Sequence, residues 1–249
     1  MEAYALDWAQ LVVRWVHLIT GIAWIGASFY FVFLDLSLLP PKAQADADAG
    51  VGGELWAVHG GGFYHAQKYK VAPAVLPSPL HWFKWEAYWT WMSGFALLVL
   101  LYYAHAGLYL VDRSVADLAP WQAIAISLAF LVGGWLFYDQ LCKRLGLHRE
   151  KVLAAAMVAF FTLVSYALSH LFAGRALFVQ VGAMMGTLMA WNVFFVIMPS
   201  QRKLVAAKEQ GVAPDPVYGQ RGKQRSVHNN YLTLPVLFLM ISNHYPMTY

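Results

Sequence analysis

The residues of this chain with the greatest chemical potential are histidines set inside apolar stretches. His17, His105, His170 and His244 fall within or at the ends of long hydrophobic runs. An ionisable side chain is costly in a bilayer core, and those found there usually serve function. When the runs are read in alternating direction, all four histidines lie toward the same face. A shared cofactor layer requires such a common depth. Neutral imidazole is a good iron ligand, and two on one iron suit electron transfer. The expectation is haem b held by histidines of this set, with the pairing and the number of haems left open. Gly21 follows His17 by one turn and Gly174 follows His170, so each leaves space beside a ligand for a flat macrocycle. Arg14 and Arg175 stand close by and would suit the propionates. Each also suits a plain snorkelling anchor at the interface.

A second set of polar residues lies on the other face. His59 and His65 flank an aromatic stretch, and His228, Asn229 and Asn230 precede the last apolar run. Imidazole and amide groups of this kind could bind a planar polar heterocycle. Were Trp56 to His65 one continuous strand, His59 and His65 would face the same way. No acidic or Cys partner stands at zinc-site spacing from them. Asp139 and Asn192 are the other polar residues deep in apolar runs, Asp139 as a proton-relay candidate and Asn192 as an interhelical bond. Gly182 and Gly186 form a small-xxx-small pair for close helix packing. No residue stands out as catalytic.

The elements that must position these residues are apolar helices. The chain has 249 residues, 60% hydrophobic and 12% charged; a soluble domain carries about 25% charged residues. The pattern predicts an all-α polytopic transmembrane bundle of about six spans, near 8–34, 88–111, 121–141, 152–172, 177–198 and 231–249. Each of the first five is long enough to cross about 30 Å of hydrocarbon. The last is short, and the chain stops at Tyr249 without a polar tail, as if a span were truncated. The whole of 1–249 reads as one transmembrane domain with two large loops, 35–87 and 199–230. Gly60, Gly61 and Gly62 in the first loop suit a turn between two short strands.

Basic residues set the orientation. Of the 17 Lys and Arg, only Arg14, Arg113 and Arg175 fall on the histidine side. The N-terminus is therefore expected outside, periplasmic in a bacterial inner membrane, with both large loops in the cytoplasm. A basic excess explained this way calls for no nucleic acid. The single Cys142 rules out an internal disulfide, and no Cys-x-x-Cys-His motif exists for covalent haem c. P-loop, Gly-x-Gly-x-x-Gly, His-Glu-x-x-His and nucleophile-elbow motifs are also absent.

Three stretches carry a family resemblance. They are Trp15 to Gly26 (WVHLITGIAWIG), Gly60 to His65 (GGGFYH), and His228 to Pro246 (HNNYLTLPVLFLMISNHYP). Together they resemble the urate oxidase N-terminal domain family, the membrane-bound urate hydroxylases of bacterial purine catabolism. The resemblance implies oxidation of urate to 5-hydroxyisourate, with electrons passed via haem to cytochrome c. Full-length relatives carry further spans and a C-terminal cytochrome c domain, which this chain lacks. Two other readings compete: a cytochrome-b-like electron-transfer subunit with no substrate of its own, and a membrane transporter.

Overall fold

A computed structural model describes residues 2–248. Helix α1 runs Glu2–Ser37, 36 residues, and stops just before Pro40 and Pro41, which cannot continue a helix. At 1.5 Å per residue it is about 54 Å long, well beyond a hydrocarbon core of about 30 Å. A short helix α2 (Gln44–Asp48) leads into strands β1 (Val51–His59) and β2 (Gly62–Tyr69).

The strands form an antiparallel hairpin with Trp56 opposite His65. The turn residues Gly60 and Gly61 have φ of +57° and +81°. These are left-handed values that glycine adopts without a Cβ clash and that match the twist of a two-residue hairpin. The all-α expectation is corrected here, since the glycine turn between aromatic, alternating segments favours a sheet over a helix. The hairpin base is tied to the end of α1. Leu39 and Glu54 exchange backbone hydrogen bonds of 2.9 and 2.8 Å, and Lys68 pairs with Asp35.

Helix α3 (Trp85–Leu98) runs antiparallel to α1 and is followed by a π-helical turn, Val99–Tyr103. The path then breaks at His105, whose φ of −126° and ψ of 40° are not helical, before the single turn α4 (Ala106–Tyr109). Helix α5 (Pro120–Leu145) starts with Pro at its first position, and the Gln122 side chain accepts the Ala119 N–H at 2.9 Å. Helix α6 spans Glu150–Ser169. Helix α7 (Gly174–Asn192) passes through a second π turn, Val193–Ile197, into α8 (Met198–Glu209). Helix α9 (Pro216–Ser242) is capped by Asp215, which accepts the Val217 N–H at 2.9 Å.

Among the described residues four helices are long and apolar enough to cross a membrane: Tyr4–Ser37, Pro120–Leu145, Glu150–Ser169 and the rod Gly174–Glu209. Two of the six expected spans are not among these four. The second consists of the 14 residues of α3 and the 5 of its π turn and ends at the break at His105. In the sixth, α9 is polar through its first half, and the apolar half from Tyr231 to Ser242 covers only about 18 Å. The expected loop 199–230 is mostly helical, because its Lys, Arg, Gln, Glu and Ala residues are good helix formers. Helices α8 and α9 pack on each other as two arms joined by a turn at Gly211, φ +71°.

Helix α7 is the hub, with α3, α5, α6 and α9 around it. Close approach is set by small residues. A Cβ on Gly134 would meet the Met184 sulfur at 2.7 Å, and one on Gly182 would meet Leu239 and Met240 at 3.2 and 3.1 Å. Gly186 faces open space, so only one half of the expected small-residue pair supports packing. Helix α1 packs along α3 and leaves its other faces exposed.

Candidate functional site: a buried ionic cluster at the basic end

Four helices bring polar side chains together at the end of the bundle that carries most of the basic residues. Helix α5 supplies Tyr138 and Asp139, and α7 supplies Asn192 at its last turn. Helix α9 supplies Arg225, His228 and Asn229, which share one face at spacings of three and one. Helix α6 supplies Glu150, its first residue. Asp139, Arg225 and Asn192 are 3%, 4% and 0% exposed.

Arg225 Nη2 donates to Asp139 Oδ1 at 2.8 Å, and Lys143, one turn on, holds Oδ2 at 2.6 Å. Both carboxylate oxygens are thus paired, as a buried charge demands. The Arg225 guanidinium also lies over the Tyr138 ring, 4.7 Å from its centroid. Its Nη1 reaches Asn192 Oδ1 at 3.4 Å. Asn192 Nδ2 donates to Tyr138 Oη and to Asn229 Oδ1, each at 3.0 Å, and Asn229 Nδ2 donates to the Met189 carbonyl at 3.0 Å.

One branch of the cluster reaches the surface. Tyr138 Oη lies 2.7 Å from His228 Nδ1, and His228 Nε2 lies 3.1 Å from Glu150 Oε2. A carboxylate only accepts, so Nε2 carries the proton and Nδ1 accepts from the Tyr138 hydroxyl. Burial pushes the His228 imidazole below its ordinary pKa, with Glu150 opposing the shift, so the neutral ring fits. Gln224 steadies the outer end by donating to Glu150 and to the Gly146 carbonyl.

Beside this cluster, α3 and α7 enclose an apolar cleft of ≈350 Å³ lined by Trp85, Tyr88, Trp91, Trp191, Phe194 and Phe195, among others. The Trp135 Nε1–H behind it is buried without a hydrogen-bond partner.

The sequence-expected residues are distributed over three places. His228 and Asn229 belong to the cluster; Asn230 is adjacent and half-buried. His59 and His65 are on different strands and, by the pairing of Trp56 with His65, on opposite faces of the hairpin. His65 stacks on Trp56 at 4.3 Å and pairs with Glu54 at 2.8 Å. The single-strand premise for a His59–His65 pair therefore does not hold. Among the described residues no group of three or more His, Cys, Asp or Glu could hold a metal ion.

At the opposite end, Arg175 donates to Asn243 at 2.7 Å and lies over Tyr109, against whose ring His105 also stands. His244 follows Asn243 in the chain, and His170 closes α6 nearby. His105, His170 and His244 are exposed, as is Arg14. His17 lies elsewhere. Its Nδ1 is 3.0 Å from the Thr90 carbonyl, and its ring covers Gly94, where a Cβ would sit 2.8 Å from Cε1. Gly94 precedes His105 by eleven residues, about 16 Å of helix.

The donor chemistry of His17 and His170 suits iron, since each can give its Nδ1–H to a backbone carbonyl and keep Nε2 free. The arrangement does not suit one haem shared by His17 and His105, which stand on different levels, and the aromatic cleft has no histidine among its lining residues.

Arg225 and Tyr138 went unrecognised in the sequence. Arg225 read as one more basic residue fixing orientation, and Tyr138 as one of 14 tyrosines. The spacing of Arg225 from His228 and Asn229 on one helix face was the available signal.

Helices of membrane-crossing length around a buried ionic cluster define a membrane protein with a polar site at one end. The chain belongs to the urate oxidase N-terminal family, which matches residues 3–249. That membership points to an oxidoreductase acting on urate. No curated protein and no solved structure matches the chain.

Proposed function

We propose that the protein oxidises urate to 5-hydroxyisourate, with urate held at the basic end against Arg225, Asn192, Asn229 and Tyr138. The observation that carries this reading is Arg225, a guanidinium 4% exposed among carboxamides in a family tied to urate. Urate is a planar anion whose edge alternates N–H and C=O groups. A guanidinium presents a fork of donors, and carboxamides both donate and accept, so they complement that edge when urate replaces the bonds that Arg225, Asn192 and Asn229 make with one another. Urate and one water yield 5-hydroxyisourate, two protons and two electrons. The electrons pass to cytochrome c, as the family resemblance implies. By the distribution of basic residues, the cluster faces the cytoplasm of a bacterial inner membrane.

The test uses membranes carrying the protein, with urate and either cytochrome c or ferricyanide as acceptor. Loss of urate absorbance should match acceptor reduction at two electrons per urate. Arg225→Gln should lower the rate at least about 100-fold, the scale of losing a charged group from a desolvated site. No urate-dependent reduction of either acceptor would count against the reading.

A further inference from the structure

We propose that Glu150, His228 and Tyr138 form a proton relay that carries protons from the buried cluster to the basic surface. This rests on the urate reading for the source of the protons. Oxidation of urate, with water supplying the oxygen and the electron acceptor taking two electrons, releases two protons beside Asp139 and Arg225, both sealed from solvent. Asp139 is held by two cations, so it is a poor acceptor.

The hydrogen-bond directions fit a relay. Tyr138 donates to His228 Nδ1, and His228 donates from Nε2 to Glu150. In the step, the Tyr138 proton moves to Nδ1 while the Nε2 proton moves to the Glu150 carboxylate. A proton from the cluster reaches Tyr138 Oη in the same movement, so Tyr138 stays a phenol, the imidazole ends neutral as the Nδ1–H tautomer, and Glu150 is left as a carboxylic acid. Glu150, whose side chain is 50% exposed, releases its proton to water, and turning of the imidazole ring restores the Nε2–H form for the next proton. No electron moves in these transfers. Exposure falls from Glu150 at 50% through His228 at 15% to Tyr138 at 1%, so the three residues link solvent to interior without a gap.

The groups that meet His228 are Tyr138 of α5, Glu150 of α6 and the Arg225 charge of its own helix. Asp139 is paired with Lys143 and Arg225. The Glu150 carboxylate is thus the accepting group on the open side of the ring.

The experiment compares wild type with Glu150→Gln and His228→Gln in whole-chain membranes. Urate-dependent acceptor reduction is followed from pH 5.5 to 9, with and without added imidazole as a diffusible proton carrier. The relay predicts kcat lowered about 10-fold or more in both variants, in line with general acid–base contributions. It predicts KM within about twofold, a shifted pH profile, and partial recovery with imidazole. Unchanged kcat and pH profile, or a loss that imidazole never restores, would overturn the relay.

A second readout needs no turnover. Nitrogen-15 histidine spectra of purified protein should show His228 as the Nε2–H tautomer with Nδ1 accepting, and Tyr138→Phe should alter the Nδ1 signal. An Nδ1–H tautomer would overturn the relay even if urate is oxidised. Wild type that shows the Nε2–H tautomer yet fails to oxidise urate would instead overturn the urate reading.

Discussion

Asp139 on α5 and Arg225 on α9 meet at 2.8 Å, with both side chains 4% exposed. They lie 86 positions apart, and they fasten the polar half of α9 to the main bundle. Removing Asp139 leaves the Arg225 charge buried without its carboxylate, which costs about 3–5 kcal/mol; removing Arg225 costs less, because Lys143 still pairs with Asp139. Arg225→Met and Asp139→Leu should each lower the melting temperature of the detergent-solubilised protein, Asp139→Leu by more. The double substitution should lose less than the two single losses added together. Additive losses would show that the pair is not coupled.

The Tyr138 hydroxyl joins Asn192 to His228. Tyr138→Phe keeps the ring under Arg225 and removes only that junction. Stability should fall by about 1–3 kcal/mol for the unsatisfied partners, while urate oxidation falls about 10-fold or more if the relay operates. Thermal melts and turnover on the same preparation separate the two effects.

Acid should open the molecule in two steps. Burial lowers the His228 pKa from 6.5, so the fold favours the neutral ring. That contribution is complete above 6.5 and is lost as pH falls through the lowered folded value. Glu54 in the hairpin is lowered from 4.5, first by the Lys42 backbone N–H and then by the His65 side chain. Its contribution is complete above 4.5 and is lost as pH falls through its own lowered value. Hydrogen exchange should show protection around His228 declining before protection in the hairpin. Simultaneous loss would contradict this order.

His17 acts as a packing residue of the α1–α3 seam, with Nδ1 near Thr90 and Ser93 and its ring on Gly94. His17→Ala should destabilise the pairing of these helices by about 1–3 kcal/mol and leave the visible absorption spectrum as in wild type. A haem band present in wild type and missing in the variant would make His17 an iron ligand.

Gly134→Leu should be the most disruptive of the helix-packing glycine changes, since even a Cβ meets Met184 at 2.7 Å. The cost of overpacking is typically about 1–3 kcal/mol. Gly186→Ala should be neutral because nothing lies within 4 Å of its Cβ position. Thermal melts of the two variants check both.

What could be read in the sequence depended on whether a signal was local. Apolar runs gave the long helices, and the glycine turn gave the hairpin, because each is decided within a few neighbouring residues. Asp139, Asn192, His228 and Asn229 stood out as polar residues in or beside apolar segments. Arg225 did not, because charge alone cannot distinguish a buried arginine from a surface one. The partners of His17 were hidden for a related reason. They depend on how α1 slides along α3, and only their packing fixes that. The helical state of 199–230 was hidden because a polar helix and a polar loop share the same low hydropathy.

The π turn at Val193–Ile197 adds one residue to a rod that otherwise repeats every 3.6. The π turn absorbs that residue, so α8 leaves it in nearly the phase of a regular helix. A further residue added in the regular part of α8, with no such turn to take it up, would swing everything beyond it by about 100°. That stretch of α8 would then turn away from α9, and the arm bearing Arg225 would lose support, so the rod tolerates an extra peptide unit only where its turn can widen.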